Sequence, residues 1–358
     1  MKTNHGANLF DLANNQCLKK EDFMDFSSNI NPFGVSKKAK QAIIDNINMI
    51  SIYPDPNYAN LKSSISSYCN CNKENIILGS GATELISSFI ETIYPKKALL
   101  LSPCYSEYEN ELKKINCSIK KFFSKEDDDF KIDINHLIYE IKNNNFDLVI
   151  ICNPNNPTGF AFNKEEIKFI LENSNCFVMI DETYIEFTNK YIFSTSSLVN
   201  DFSKLFVIRG TSKFFSTPGI RLGYGLISNQ NIYERILEHI DLWNINIFAS
   251  IIGEVMFTDK EYIDKTISEM KKEQDFLFNS LKSFNDLKVY QSYGNFILCK
   301  IKSKKITARE LYEKLLAKHI IIRNCSSFEG LDEYYFRVCI LTPSQNKILI
   351  KELQELLK

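Results

Sequence analysis

Apolar and polar positions along the chain fall into alternating blocks. Five short apolar runs read as buried strands: IIL at 76–78, ALLL at 98–101, LVIIC at 148–152, FVMI at 177–180 and LFVI at 205–208. Between them, stretches near 83–94, 105–115, 133–144 and 163–173 carry apolar residues at helical spacing. Buried strands joined by helices need crossover connections. The pattern therefore predicts an α/β fold with a mainly parallel sheet covered on both faces. A helix from about Ser36 to Ile47, capped by Ser36, is expected ahead of this block. Residues 1–35 are polar, end in SSNINPFG, and read as an arm.

Beyond about residue 228 the pattern changes. A long helix is expected near 259–284, then strands in LKVYQS and NFILCKI. A helix over 308–318, the strand IIIR (320–323), the strand YFRVCI (335–340) and a final helix complete a smaller α+β unit. The expected organisation is an arm at 1–35, a large domain at 36–255 and a small domain at 256–358.

A chain of 358 residues suits two lobes better than one core. With 43 basic and 44 acidic side chains the net charge is −1, which argues against nucleic acid or an anionic membrane surface as partner. No apolar run reaches the roughly 18–20 residues that cross a bilayer, and the first residues lack an apolar targeting core. The expectation is a cytoplasmic protein. Its ten cysteines include no C-x-x-C pair and read as reduced thiols. His5, His136, His239 and His319 lie too far apart in sequence to suggest a metal site.

Five segments carry candidate chemistry, most of them at the C-terminal end of an expected strand, where open α/β sheets bind ligands. In GSGATE (79–84), glycines allow close approach, and the N–H groups of Ala82 and Thr83 at a helix start suit a phosphate; plain turn chemistry is the other reading. NPNNPTG (153–159) offers Asn156 on a proline-fixed loop. IDETY (180–184) ends an apolar strand with Asp181, a carboxylate that must meet a cation, cap a helix or join an ion pair. In RGTSKFFSTPGIRLGYG (209–225), Lys213 is placed to form a Schiff base, and Thr211, Ser212 and Arg221 can complete an anion cage. In PCYSEY (103–108), Tyr105 either stacks on a flat ring or joins the core.

Taken in order, these segments resemble the fold-type-I pyridoxal-phosphate enzymes, the class I/II aminotransferase superfamily, over nearly the whole chain. The resemblance implies an aspartate-aminotransferase-like fold with a seven-stranded, mainly parallel sheet, and pyridoxal 5′-phosphate as cofactor. It implies that Lys213 carries the cofactor, Asp181 pairs with the ring nitrogen, Asn156 and Tyr184 bond the ring oxygen, and Tyr105 stacks on the ring. Gly81, Ala82, Thr83, Ser212 and Arg221 would hold the phosphate. Tyr53, in YPDP, is similar to a tyrosine that reaches the phosphate from a neighbouring subunit, which implies a homodimer with shared sites.

Two branches of the superfamily compete. YPDP and SKxxxxxGIRLGY are similar to the histidinol-phosphate aminotransferases. HGANLF, DFSSNINPFG and IIIRNCSSFEGL look more like the L-threonine-O-3-phosphate decarboxylases. The second likeness implies that His5, Gly6, Asn29, Arg323 and Arg337 line the substrate site, with Asn156 beside them; Ala7 departs from the second glycine usual there. Arg337 also reads as half of a structural ion pair, Arg323 as solvent-facing, and His5 as part of a loose terminus. The leading expectation is decarboxylation of L-threonine O-3-phosphate to 1-amino-2-propanol phosphate in cobalamin synthesis. The alternative is transamination of histidinol phosphate with 2-oxoglutarate. A non-catalytic cofactor-binding protein is a third reading, disfavoured by the intact Lys213, Asp181, Asn156 and Arg221 set.

Overall fold

The computed structural model describes residues 8–357. Its strands are β1 (Met24–Asp25), β2 (Ile76–Gly79), β3 (Lys97–Ser102), β4 (Ser118–Phe123), β5 (Leu148–Cys152), β6 (Phe177–Asp181), β7 (Leu205–Gly210), β8 (Gly223–Leu226), β9 (Leu287–Val289), β10 (Phe296–Ile301), β11 (Ile320–Ile321), β12 (Arg323–Asn324) and β13 (Tyr335–Cys339). A seven-stranded sheet has the order β2-β8-β7-β6-β5-β3-β4. Only β8 runs against its neighbours, so the sheet is mainly parallel, the expected α/β arrangement.

The period-two geometry of a strand explains how both faces are buried. Val149, Ile151, Val178, Ile180, Leu205 and Val207 pack into one core. Their alternates Leu148, Ile150, Met179, Phe206 and Ile208 pack into another on the opposite face. The helices over these faces include Ala82–Ile93, Ser106–Lys114, Ile134–Asn144 and Lys164–Glu172, each within a residue or two of its expected position. Ser36 caps the helix Lys37–Asp45, its side chain accepting from the Ala39 N–H.

A second sheet, β12-β13-β10-β9, is antiparallel throughout and carries its own core beneath the helices Lys260–Lys282, Ala308–Leu316 and Pro343–Leu356. The run IIIR is not one strand: β11 pairs with β1, and after Ile322 the chain enters β12 and pairs with β13. The described part of the arm carries regular structure. It contains the helix Leu9–Gln16, and β1 pairs in parallel with β11, anchoring residues 24–31 between the two sheets.

Two strands of the large sheet were not expected. β4 (SIKKFF) is an edge strand whose two lysines mask its apolar content, and β8 (GYGL) is short and half glycine. At β8 the glycines are required: a Cβ at Gly223 would lie 2.7 Å from the Ala82 nitrogen, and one at Gly225 would lie 2.5 Å from the Phe206 ring. No helix among the described residues is long and apolar enough to cross a membrane.

Candidate active site

Strands β5, β6 and β7 end side by side, with Cys152 opposite Asp181 and Asp181 opposite Ile208. The loops that follow deliver Asn156, Tyr184 and Lys213 to one edge of the sheet. A cavity of about 520 Å³ opens there, between the large sheet, the segment 27–30 and strands β12 and β13 of the small sheet. It is lined by Ala82, Thr83, Tyr105, Asn156, Asp181 and Tyr184, and also by Ser212, Lys213, Arg221, Asn29, Arg323 and Arg337.

Asp181 is buried, and burial pushes its carboxyl upward. Three donors oppose that: the Tyr108 hydroxyl at 2.6 Å on one oxygen, and the Thr183 N–H and hydroxyl at 2.9 and 2.5 Å on the other. Behind it, Arg209 and Glu182 form a fully buried ion pair in which two guanidinium nitrogens donate to one carboxylate oxygen at 2.9 and 2.7 Å. This pair joins the ends of β6 and β7 and so fixes Asp181 relative to the Lys213 loop.

Lys213 is pushed down to about 8, first by burial and then by the nearby Arg337 guanidinium. Its amine donates to the Ser28 carbonyl at 2.7 Å. Arg337 is buried, donates to the Ser27 carbonyl at 2.7 Å, and also bonds the Asn156 side-chain oxygen. Among the described residues Arg337 has no ion-pair partner, so its reading as half of a structural ion pair is not realised there: its partners are neutral oxygens. Residues 27 and 28 thus present successive carbonyls to the two cations. Asp25 orders this turn, accepting from the Ser27 N–H and hydroxyl at 2.8 and 2.6 Å. Asn29, held at φ +57°, donates to the Tyr184 hydroxyl at 3.2 Å.

Gly81 (φ +88°) precedes the helix Ala82–Ile93 and offers it no side-chain cap, and Ala82 and Thr83 at the helix start line the cavity. A Cβ there would lie 2.4 Å from an Arg221 nitrogen. Arg221 therefore lies over the helix start, where the macrodipole and a guanidinium together favour an anion. Tyr105 is hydrogen-bonded to Thr83, and burial raises its phenol to about 12.

Four expected site residues lie outside this cavity or outside the described residues. The Thr211 hydroxyl, which was expected in the anion cage, faces inward and donates to the Leu222 carbonyl at 3.0 Å. Thr211 is not among the cavity residues. Tyr53 is 75% exposed, packs on Trp243 with ring centroids 4.5 Å apart, and does not line this cavity. His5 and Gly6 lie outside the described residues. Conversely, Tyr108 and Thr183 hold Asp181 without having been singled out. Their only signal was proximity in sequence to Tyr105 and Asp181.

Residues 21–353 match the family described as aminotransferase class I and II. The chain belongs to that family, and it is an enzyme of the pyridoxal-phosphate class. A relative from Caldanaerobacter subterraneus subsp. tengcongensis, provisionally named a threonine-phosphate decarboxylase, is 38% identical over 98% of this chain and 93% of its own. The crystal structure of the histidinol-phosphate aminotransferase from Clostridium acetobutylicum superposes with a TM-score of 0.86 at 35% identity, covering 92% of this chain and 98% of that one. The Sinorhizobium meliloti histidinol-phosphate aminotransferase, crystallised with pyridoxal 5′-phosphate, shares the fold with a TM-score of 0.88 at 17% identity, over 98% of this chain and 94% of that one.

The cavity fits pyridoxal 5′-phosphate, the cofactor of this class. A buried carboxylate that lacks a cation among the described residues suits a pyridinium N–H. The bare helix start with Arg221 suits a phosphate. Asn29 Oδ1 and Arg337 Nε, both buried and without a partner among the described residues, await polar groups of a ligand.

Proposed function

We propose that this enzyme decarboxylates L-threonine O-3-phosphate, releasing 1-amino-2-propanol phosphate for cobalamin synthesis. The carrying observation is the pair Arg323 and Arg337, directly opposite each other across β12 and β13 and both lining the cavity. Two adjacent guanidiniums suit a substrate with two acidic groups, a carboxylate and a phosphate.

Bound pyridoxal phosphate supplies an electron sink for the substrate's α-carbon. Asp181 holds negative charge at the ring nitrogen. Ala82, Thr83, Ser212 and Arg221 would hold the cofactor's phosphate, and Tyr105 would stack on its ring. Lys213 would carry the cofactor, and its amine, when free, would hold or move a proton near the substrate's α-carbon. A pKa near 8 suits that exchange close to neutral pH. Arg323 and Arg337, with Asn29 and Asn156 beside them, orient the substrate, and that orientation decides which bond is broken. His5 and Gly6 are proposed to complete the substrate side.

Ile44, Ile47, Ile50, Ile52, Tyr53 and Trp243 are exposed apolar side chains, and Tyr53 packs on Trp243; this supports a homodimer in which Tyr53 reaches the partner's site.

The likeness to the Clostridium acetobutylicum structure favours a second reading, transamination of histidinol phosphate with 2-oxoglutarate. Paired assays test both. Carbon dioxide from L-threonine O-3-phosphate without any keto acid supports the decarboxylase. Glutamate from histidinol phosphate and 2-oxoglutarate, without carbon dioxide, supports the aminotransferase and refutes the first reading.

A further inference from the structure

The cavity wall contains ionic groups that the reading above does not use. Lys121, on the edge strand β4, lines the cavity and is largely buried. Its ammonium bonds Glu109, on the helix Ser106–Lys114, at 2.7 Å. It also bonds Glu329, which follows strand β12 of the small sheet. The contact therefore ties the edge of the large sheet to a loop of the small one, across the cavity.

That loop also holds Arg323. Arg323 donates to the Ser327 hydroxyl at 2.9 Å, and its guanidinium lies over the Phe328 ring, 5.5 Å from the centroid. Gly330, at φ +93°, lets the loop lie flat on β4, since a Cβ there would come within 3.0 Å of the Phe123 ring. Ser327, Phe328 and Glu329 are consecutive. Whatever fixes Glu329 also restrains two groups that contact Arg323.

We propose that Lys121 and Glu329 are positioning residues: their ion pair latches the loop 325–331 onto β4 and so holds Arg323 where it meets the anionic group of the substrate. The proposal rests on the assignment of Arg323 to substrate binding. Glu109 belongs to the device, because a second carboxylate keeps Lys121 oriented at the wall. A side chain with this much rotameric freedom would otherwise lose entropy on docking. The latch bears on substrate affinity, not on the bond-breaking step, because neither residue reaches Lys213 or Asp181 through any described contact.

The test is steady-state kinetics on the cofactor-loaded enzyme, with whichever of the two phosphorylated substrates it turns over. Lys121→Met and Glu329→Gln would be measured singly, together and in an Arg323→Ala background. Each single change is expected to raise KM about three- to fivefold, the scale of one partly exposed ion pair, with kcat within about twofold of wild type. The double variant should be no worse than either single one. In the Arg323→Ala background, Lys121→Met should add nothing. Lys121→Arg, which keeps the charge, should retain the wild-type KM and serves as the folded control.

Should Arg323→Ala itself leave KM unchanged, the assignment of Arg323 fails. Should Arg323→Ala raise KM while Lys121→Met does not, or should the two effects multiply, the latch fails and the assignment stands. A lower KM in Glu329→Gln would mean that freed Lys121 meets the substrate itself, which also overturns the latch.

Discussion

Arg323 and Arg337 are direct cross-strand partners, so two guanidiniums share one face of the small sheet. Like charges in such positions destabilise a sheet. Arg323 is depressed, first by burial and also by the Arg337 guanidinium. An arrangement that costs stability and faces a cavity makes sense as a binding device. Arg323→Gln is therefore expected to raise KM for the phosphorylated substrate roughly ten- to a hundredfold, the range of a charge-assisted hydrogen bond. Its melting temperature should stay level or rise. A fall in melting temperature with unchanged KM would mark Arg323 as structural.

Tyr108 donates to Asp181 at 2.6 Å, and this bond favours the ionised carboxylate. Tyr108→Phe removes one of three donors from a carboxyl that burial already pushes upward. With that donor gone the carboxyl's pKa rises, so more of it is protonated at a given pH. The acid limb of the kcat/KM profile should move to higher pH, with the alkaline limb unmoved. Asp181→Asn should lose activity at every pH, about 100-fold or more. An unmoved acid limb in Tyr108→Phe would show that Asp181 does not set it.

The strands that carry the site were legible because each is a continuous apolar run, as a strand buried on both faces must be. Asp181 stood out because it ends such a run, and Lys213 because it follows one. Tyr108 was not legible: a tyrosine near the start of a helix looks the same whether its hydroxyl meets water or a buried carboxylate. Thr211 misled for the same reason in reverse. Its neighbours Ser212 and Lys213 face the cavity, while its own hydroxyl turns to Leu222. The break at Ile322 depends on which strands lie on either side, and no local pattern shows that. The buried Arg209–Glu182 pair joins two segments 27 positions apart, each read for a neighbouring residue.

Gly81 has a backbone that side chains rarely adopt, and the space its Cβ would take is filled by Arg221. Gly81→Ala must therefore strain the turn at the helix start and displace the guanidinium. Both changes act where the cofactor's phosphate is proposed to sit. The variant is expected to bind pyridoxal 5′-phosphate at least about tenfold more weakly, with excess cofactor restoring much of the activity. Absorbance titration of the cofactor-free protein measures this. Unchanged affinity would move the phosphate site away from this turn.

Lys213 gives the last prediction, because its depressed pKa links stability to pH. In the folded, cofactor-free protein it titrates near about 8, against 10.5 ordinarily. Between those values the unfolded chain keeps the proton and the folded chain has lost it. Stability rises with pH wherever the unfolded state binds more protons, so this residue contributes a rise across that window. Below pH 8 the lysine is charged in both states, and the full cost of burying that charge is felt. Lys213→Met removes both the cost and the slope. The variant should be inactive yet more stable than the wild type at pH 7, by chemical denaturation, and the difference should shrink as pH approaches 10.5. Equal differences at both values would show that the amine is not depressed by its site. Retained turnover would remove Lys213 from the chemistry altogether.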